Sequence, residues 1–350
     1  MTTVIVTGIL GQDGSNMADF LLEKTDHNVY GMMRRSATPN LKNIENALKN
    51  PRFNLVDGDL TDEVSVSRLV KKIKPDFFVN FGANSFVGCS WDMPLHVFDT
   101  NSLGVVRCLE AIKNHVPHCR FYSAGSSEEF GDVDYSPQDI KHPLKPRSPY
   151  GASKCAARHV VKVYRESYNL YAVHGILFNH EGVRRGEEFV TRKITKGIAR
   201  ICYSIKNSEK IVPIELGNIE AKRDWSDSED FVEGVWLMLN QEKPKDYILS
   251  SGETHSIQEF VEKAFYFAGI EGFWRGQGVD QKYYLGEYIH EEFPNIEGCL
   301  VKINPKFYRP AEVNLLVGDS SAVRNELGWK PKVDFLGLVK KMVENDLRSS

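Results

Sequence analysis

Two short segments of the 350-residue chain carry side chains suited to chemistry. The first, FYSAGSSEEFG at residues 121–131, begins as a buried strand would and then places Ser126, Ser127, Glu128 and Glu129 in a row. The second, SPYGASK, sets Tyr150 four residues before Lys154, on one face of a helix. A tyrosine with an unperturbed pKa of ~10 is a poor base at neutral pH, but a neighbouring ammonium and a cationic ring favour its phenolate. Tyr150 and Lys154 therefore form a proton-transfer pair. The serines and acids have two readings. A serine oxygen and acids are what a helix N-terminus uses as its cap. Alternatively, Ser126 orients a sugar hydroxyl that is being oxidised, and Glu128 is then surplus to plain dehydrogenation. A new ketone acidifies the adjacent C–H, so a positioned carboxylate can remove that proton and pass it to a leaving hydroxyl. That is dehydration chemistry.

The elements that must position these residues alternate. Strands are predicted at 4–7, 28–33, 53–56, 77–81, 120–123 and 172–177, with helices near 15–23, 62–73, 103–114 and 151–168. Such alternation is the pattern of a parallel sheet covered on both faces. After residue 180 the rhythm breaks into a basic segment (Arg184, Arg185, Arg192, Lys193), a strand over 211–216, a helix over 227–239 and an aromatic, glycine-rich stretch over 273–294. The expected class is α/β: a Rossmann-type doubly wound domain over 1–180, completed by parts of 211–250, and a smaller C-terminal α/β substrate-binding lobe over 181–350. With no Pro/Ser linker between them, the two lobes should meet at a cleft.

VTGILGQDGS puts Gly8, Gly11 and Gly14 directly after the first strand and at the start of a helix, where glycines let the backbone approach a pyrophosphate. The second strand ends GMMRRSA, giving Arg34 and Arg35 and no carboxylate, which selects NADP over NAD. Asp59 in DGDL is placed to reach the adenine edge, although an Asx turn would look the same. A net charge of -3 with interspersed signs excludes a nucleic-acid surface. Six scattered cysteines with no CxxC indicate neither a disulfide framework nor a metal site. No basic leader region and no apolar run of ~20 residues is present, so a cytoplasmic protein without a membrane partner is expected.

The segments TGILGQDGS, GMMRRS, DGDL, RSPYGASK, GILFNHEGVRRGEEFVTRKITKGIA, LGNIEAKRDW, KFYRPAEV and LVGDSSAVRNELGWKP occur in this order. In them the chain resembles, from end to end, the GDP-mannose 4,6-dehydratase family of extended short-chain dehydrogenase/reductases. The resemblance implies Ser126, Glu128, Tyr150 and Lys154 as the catalytic set. It implies NADP contacts from Gly8, Gly11, Gln12, Asp13, Gly14, Arg34, Arg35, Asp59, Leu60, Phe81, Gly82, Ala83, Ser85, His96, Tyr150, Lys154, His180 and Arg185. For a GDP-sugar it implies Ser85, Ser126, Asn179, Val190, Lys193, Arg223, Arg309 and Glu312. It also implies a homo-oligomer, tetramer or dimer, in which residues 34–48 cross toward a neighbour's cofactor site and Arg185 supplies the partner.

The expected reaction turns GDP-mannose into its 4-keto-6-deoxy product and water, hydride passing internally from C4 to NADP to C6. Where the family has Thr, Gln, His and Tyr, this chain has Ser126, Asn84, Phe86 and His96, and the motif HEGVRR is also altered. These changes make a GDP-manno-heptose a rival substrate. A 4-epimerase or 4-ketoreductase would not need Glu128, and a non-catalytic NADP-binding regulator would not need the Ser126, Tyr150 and Lys154 relay.

Overall fold

Runs of β-branched and aromatic residues become β1 (Thr3–Thr7), β2 (Asn28–Met33), β3 (Phe53–Asp57), β4 (Phe77–Asn80), β5 (Arg120–Ala124) and β6 (Ala172–Leu177) in the computed structural model, which describes residues 2–286, 298–308, 313 and 315–349. Later in the chain come β7 (Asn179–Glu181), β8 (Ile214–Leu216), β9 (Lys222–Arg223), β10 (Trp225–Asp227), β11 (Tyr247–Leu249) and β12 (His255–Ser256). The main sheet runs β11-β6-β5-β4-β1-β2-β3, and every pair in it is parallel. Strands covered on both faces need apolar residues on both, and Val4, Ile5 and Val6 are all fully buried. The chain winds outward from β1 to β3, then resumes at β4 on the other side. This reversal between β1 and β4 opens a crevice beyond the carboxyl ends of the strands, where ligands bind in such sheets.

The helices are α1 (Gln12–Lys24), α2 (Glu63–Ile73), α3 (Pro94–Phe98), α4 (Gly104–His115), α5 (Pro149–Ser167), α6 (Val190–Lys206), α7 (Ser228–Leu239), α8 (Ile257–Phe267), α9 (Ser321–Leu327) and α10 (Phe335–Arg348). One core joins Met17 and Leu21 of α1 to Phe231 and Val235 of α7; another joins Val66 of α2, Leu109 of α4 and Val161 of α5. A separate core holds Ile194 and Ile198 of α6, Phe260 of α8 and Leu338 of α10 against β8, with β13 (Gly272–Arg275), β14 (Lys282–Leu285) and β15 (Cys299–Ile303) completing that small sheet. Among the described residues no helix is long and apolar enough to cross a membrane.

The expected bounds of β2 and β6 match to the residue, and the other first-half strands differ by one position. The strand expected over 211–216 is shorter, because only Ile214–Leu216 pairs with β15. The basic segment hides α6: Ile194, Ile198 and Ile201 are buried at helical spacing while Arg200 and Lys206 face outward. The aromatic stretch forms the β13–β14 hairpin as far as Leu285, and 287–297 lie outside the described residues. Between α3 and α4 the helix passes through a π turn, Asp99–Leu103, a feature frequent at functional sites.

Candidate active site

A cavity of about 1440 Å³ opens at the carboxyl ends of the main sheet, walled on its far side by the second lobe. That exceeds the upper end of a single small-ligand site, roughly 1000 Å³, and leaves room for two ligands. Ser126, Glu128, Tyr150 and Lys154 all line it.

These four are brought together by two packed turns. Ser126 caps a single 3-10 turn, Ser127–Glu129, its hydroxyl accepting the Glu128 N–H at 3.2 Å. Ser148 caps α5, accepting the Gly151 N–H at 3.0 Å, so Tyr150 stands in the first turn of the helix. A side chain at Gly151 would place its Cβ 2.5 Å from the Glu128 carbonyl oxygen, so glycine is what lets the two turns touch. The Tyr150 phenol faces the Ser126 side chain. Burial pushes that phenol above its ordinary pKa; Ser126 opposes this, Glu128 reinforces it, and Arg185 pulls it down. Lys154 is 5% exposed, donates from Nζ to the Ala124 carbonyl at 2.7 Å, and lies 5.8 Å from the Tyr150 ring centroid. Burial pushes its ammonium down to about 8, against the pull of Glu129 and Asp13. The tyrosine is thus poised to act only when a further positive charge faces it.

At the carboxyl end of β1, Gly8, Gly11, Gln12, Asp13 and Gly14 line the cavity. A Cβ on Gly14 would sit 2.3 Å from the Gly8 carbonyl oxygen, so the turn and the N-terminus of α1 form a cradle that any side chain there would fill. Gln12 Oε1 is buried without a partner among the described residues. The cradle fits a dinucleotide pyrophosphate on the helix N-terminus, and the Gln12 oxygen, an acceptor, fits a hydroxyl donor such as that of a ribose. Asp13 accepts from His180 Nε2 at 2.9 Å, and His180 Nδ1 donates to the Phe178 carbonyl at 2.7 Å. Burial raises the Asp13 carboxyl and lowers the His180 ring, but each partner outweighs it, leaving Asp13 below and His180 above their ordinary values.

Phe81, Ala83, Ser85, Asn179, His180, Arg185, Val190, Lys193 and Arg223 also line the cavity. Lys193 Nζ lies over the Phe307 ring at 3.6 Å, and burial lowers its pKa. Arg185 is held within its own chain, Nε 3.0 Å from Glu181 Oε2 and guanidinium 3.5 Å over the Phe189 ring. Arg34, Arg35, Asp59, Leu60, Gly82 and His96 are not on the wall. Arg34 and Arg35 stand exposed just past β2. Asp59 Oδ1 is engaged in an Asx turn with the Thr61 N–H and hydroxyl, at 2.9 and 2.8 Å. Leu60 is buried, Gly82 N–H donates to Thr7 Oγ1 at 2.8 Å, and His96 is half-buried on α3. Arg309 and Glu312 lie outside the described residues.

Sequence reading missed Asn101 in the π turn, which grips the backbone of Asn84 from both sides (2.8 and 3.1 Å) and so sets the Ser85 loop. It also missed Asn40, Lys42 and Asn43, which reach the rim of their own chain's cavity.

The profile of the family described as GDP-mannose 4,6 dehydratase matches residues 5–342. The chain belongs to that family. A GDP-mannose 4,6 dehydratase of Drosophila melanogaster is 43% identical over 352 residues, covering 98% of this chain and 85% of that one. The human enzyme of that name is 41% identical, with 98% and 91% covered, and one from Vibrio cholerae 40%, with 99% and 94%. Solved structures share the fold at low identity. A UDP-glucuronic acid 4-epimerase from Bacillus cereus superposes with a TM-score of 0.80 at 18% identity, 100% of each chain covered. A dTDP-glucose 4,6-dehydratase from Bacillus anthracis gives 0.78 at 19%, with 100% and 98% covered. These likenesses show the fold, a helix-covered parallel sheet with a second lobe.

The buried ammonium makes a stability prediction. A lysine whose pKa falls from the ordinary 10.5 to about 8 on folding destabilises the protein below pH 8, by about 3 kcal/mol at pH 7. This penalty fades as pH rises from 8 to 10.5, where the unfolded chain also gives up the proton. In the cofactor-free protein, the stability of Lys154→Met relative to wild type should therefore fall by about 3 kcal/mol between pH 7 and pH 10.5. Denaturant titrations at the two pH values measure it, and a pH-independent difference would refute it.

Proposed function

We propose that this chain is a GDP-mannose 4,6-dehydratase, converting GDP-mannose to its GDP-4-keto-6-deoxy product and water. The observation that carries the reading is Glu128: a carboxylate on the cavity wall, in the same turn as the Ser126 hydroxyl that meets Tyr150. An epimerase or ketoreductase has no use for a base there. In the proposed course, Ser126 orients the sugar O4–H and Tyr150 takes its proton as C4 is oxidised. Glu128 removes the C5 proton, now acidified by the C4 ketone, and delivers a proton to the leaving 6-hydroxyl. C5 regains a proton once C6 has been reduced. The bound nicotinamide supplies temporary hydride storage, so the sequence is redox-neutral. Lys154 holds positive charge beside Tyr150, favouring its phenolate.

The sugar nucleotide is placed against the second lobe. Asn179, Lys193 and Arg223 face it, and the N-terminus of α6, which has no side-chain cap, offers free N–H groups to a diphosphate. Phe86 supports keeping a GDP-manno-heptose as the second substrate reading: it lines the cavity, is 38% exposed and meets Phe189 edge-on at 6.0 Å. Mass spectrometry of GDP-mannose and GDP-manno-heptose incubated without added reductant tests both. Loss of one water supports the dehydratase, and unchanged mass with altered retention indicates an epimerase. Glu128→Gln should bind both ligands with unchanged affinity yet lose at least about a hundredfold in solvent-deuterium exchange at C5 and in product formation. Wild-type rates of both in the variant would remove Glu128 from its role.

The proposed cofactor is NADP, on the strength of two exposed arginines and no acid at the end of β2. A charge-assisted bond to the 2′-phosphate is worth roughly 1.5 to 3 kcal/mol before solvent screening. Arg35→Ala should accordingly narrow the preference for NADP over NAD by about tenfold. Equal dissociation constants of the wild type for the two cofactors would contradict the assignment.

A homo-oligomer is also proposed. Met93, Leu95, Phe98 and Leu103, on α3 and its flanks, are 47%, 86%, 37% and 51% exposed, an apolar stripe that a second copy would cover. Arg185 turns Nε toward Glu181 of its own chain and lines the cavity, and it stays the proposed partner for residues 34–48 of a second copy. Cys89, Cys108, Cys119, Cys155 and Cys202 are free thiols, which suits a reducing, cytoplasmic setting. Light scattering should give a mass of at least twice 39.7 kDa, and a fully active monomer would refute the oligomer.

A further inference from the structure

Glu129 has no part in the proposed reaction, yet its side chain is fully buried one residue beyond Glu128. Its Oε1 accepts the Ser126 N–H at 2.8 Å and His174 Nε2–H at 2.9 Å. The first of these closes a capping box around the catalytic turn. The second ties that turn to β6, where His174 is itself fully buried. The anchor continues outward: the His174 backbone N–H donates to Asp246 Oδ1 at 2.8 Å, and Asp246 is bidentate to Arg165 at 2.6 and 3.0 Å. Gly125 makes the closure possible, because a Cβ there would lie 2.3 Å from His174 Nε2 and 2.7 Å from Glu129 Oε1.

A cap alone contributes about 1 kcal/mol, less than the cost of burying a carboxylate. Full burial therefore points to a demand for precision. We propose that Glu129 and His174 are positioning residues that fix the Ser126–Glu128 turn against Tyr150, Glu129 gripping the Ser126 backbone and His174 bolting Glu129 to the sheet. This rests on the dehydratase reading of the site.

The groups facing Glu129 are Tyr150, Lys154, Cys155 and Arg158 from α5, Tyr122 from β5 and His174 from β6. Burial raises the Glu129 carboxyl, but His174, the Ser126 N–H and Arg158 together hold it below its ordinary value. Its neutralisation should weaken the grip on Ser126, and that gives the test a pH signature.

In Glu129→Leu holoenzyme, NADP and GDP should still raise the melting temperature and KM should stay within about threefold, while kcat falls roughly ten- to a hundredfold. Glu129→Gln keeps an oxygen that accepts both bonds and should recover to within about fivefold of wild type. His174→Asn leaves the Ser126 bond but removes the opposing imidazole, so Glu129 takes up a proton at higher pH. The acid limb of kcat should then move upward by about one pH unit or more. Wild-type kcat in Glu129→Leu, equal damage in Glu129→Gln and Glu129→Leu, or an unmoved acid limb in His174→Asn would each overturn the proposal. The last decides the matter even if the leucine variant does not fold. Failure of the wild type to release water from GDP-mannose would instead sink the reading of the site itself.

Discussion

Burying a lysine ammonium at the carboxyl end of a parallel sheet is the constraint around which the site is organised. Lys154 must lie close enough to Tyr150 for its charge to be felt, and that closeness takes it out of water. Its bond to the Ala124 carbonyl uses the last residue of β5, where the ladder has ended and a backbone oxygen is free to accept. Glu129, fully buried, and Asp13, half-buried, supply the negative charge that keeps the ammonium from falling further. Each of those acids is held by a histidine: His174 for Glu129 and His180 for Asp13. Two acid–histidine pairs flank one buried lysine, and both histidines come from the same stretch of chain, β6 and β7.

The Ser-Ser-Glu-Glu row shows how local and distant requirements are met by one segment. The capping reading and the catalytic reading of those residues were posed as alternatives, but they belong to different atoms. Glu129 closes the box by accepting the Ser126 N–H, whereas Ser126 Oγ accepts the Glu128 N–H and its side chain faces Tyr150. The cap shapes the turn, and the turn leaves Glu128 facing the cavity.

What the sequence made legible was local. Strand patterning located β2 and β6 to the residue, because both are mainly apolar runs punctuated by their turns. The glycine turn and the Tyr150–Lys154 pair were readable because their spacing is itself the geometry. Three features were not readable. Helix α6 was masked by its basic residues, which occupy the faces that Ile194 and Ile198 do not use. Asn101 works only because a π turn rotates it toward Asn84, and no composition signal marks such a turn. The Asp13–His180 and Glu129–His174 pairs join residues 167 and 45 positions apart, so their partners cannot be chosen from spacing.

The Asp13–His180 pair also explains why the two ends of the cavity are mechanically one. A carboxylate in the first turn of α1 is well placed for the helix dipole but badly placed for a pyrophosphate arriving at the same N-terminus. Pairing with a histidine raised above its ordinary pKa cancels that charge without removing the hydrogen-bonding group. The histidine is also on β7, next to Asn179 on the substrate side, and Gln12 Nε2 donates to the His180 carbonyl at 3.1 Å. β7 pairs with β10, two residues beyond Arg223, whose side chain lines the far wall. The cofactor cradle and the second lobe are therefore joined through three residues of one short strand. A shift of His180 relative to the cradle must carry Asn179 with it, so a change at the glycine turn is felt on the far wall of the cavity.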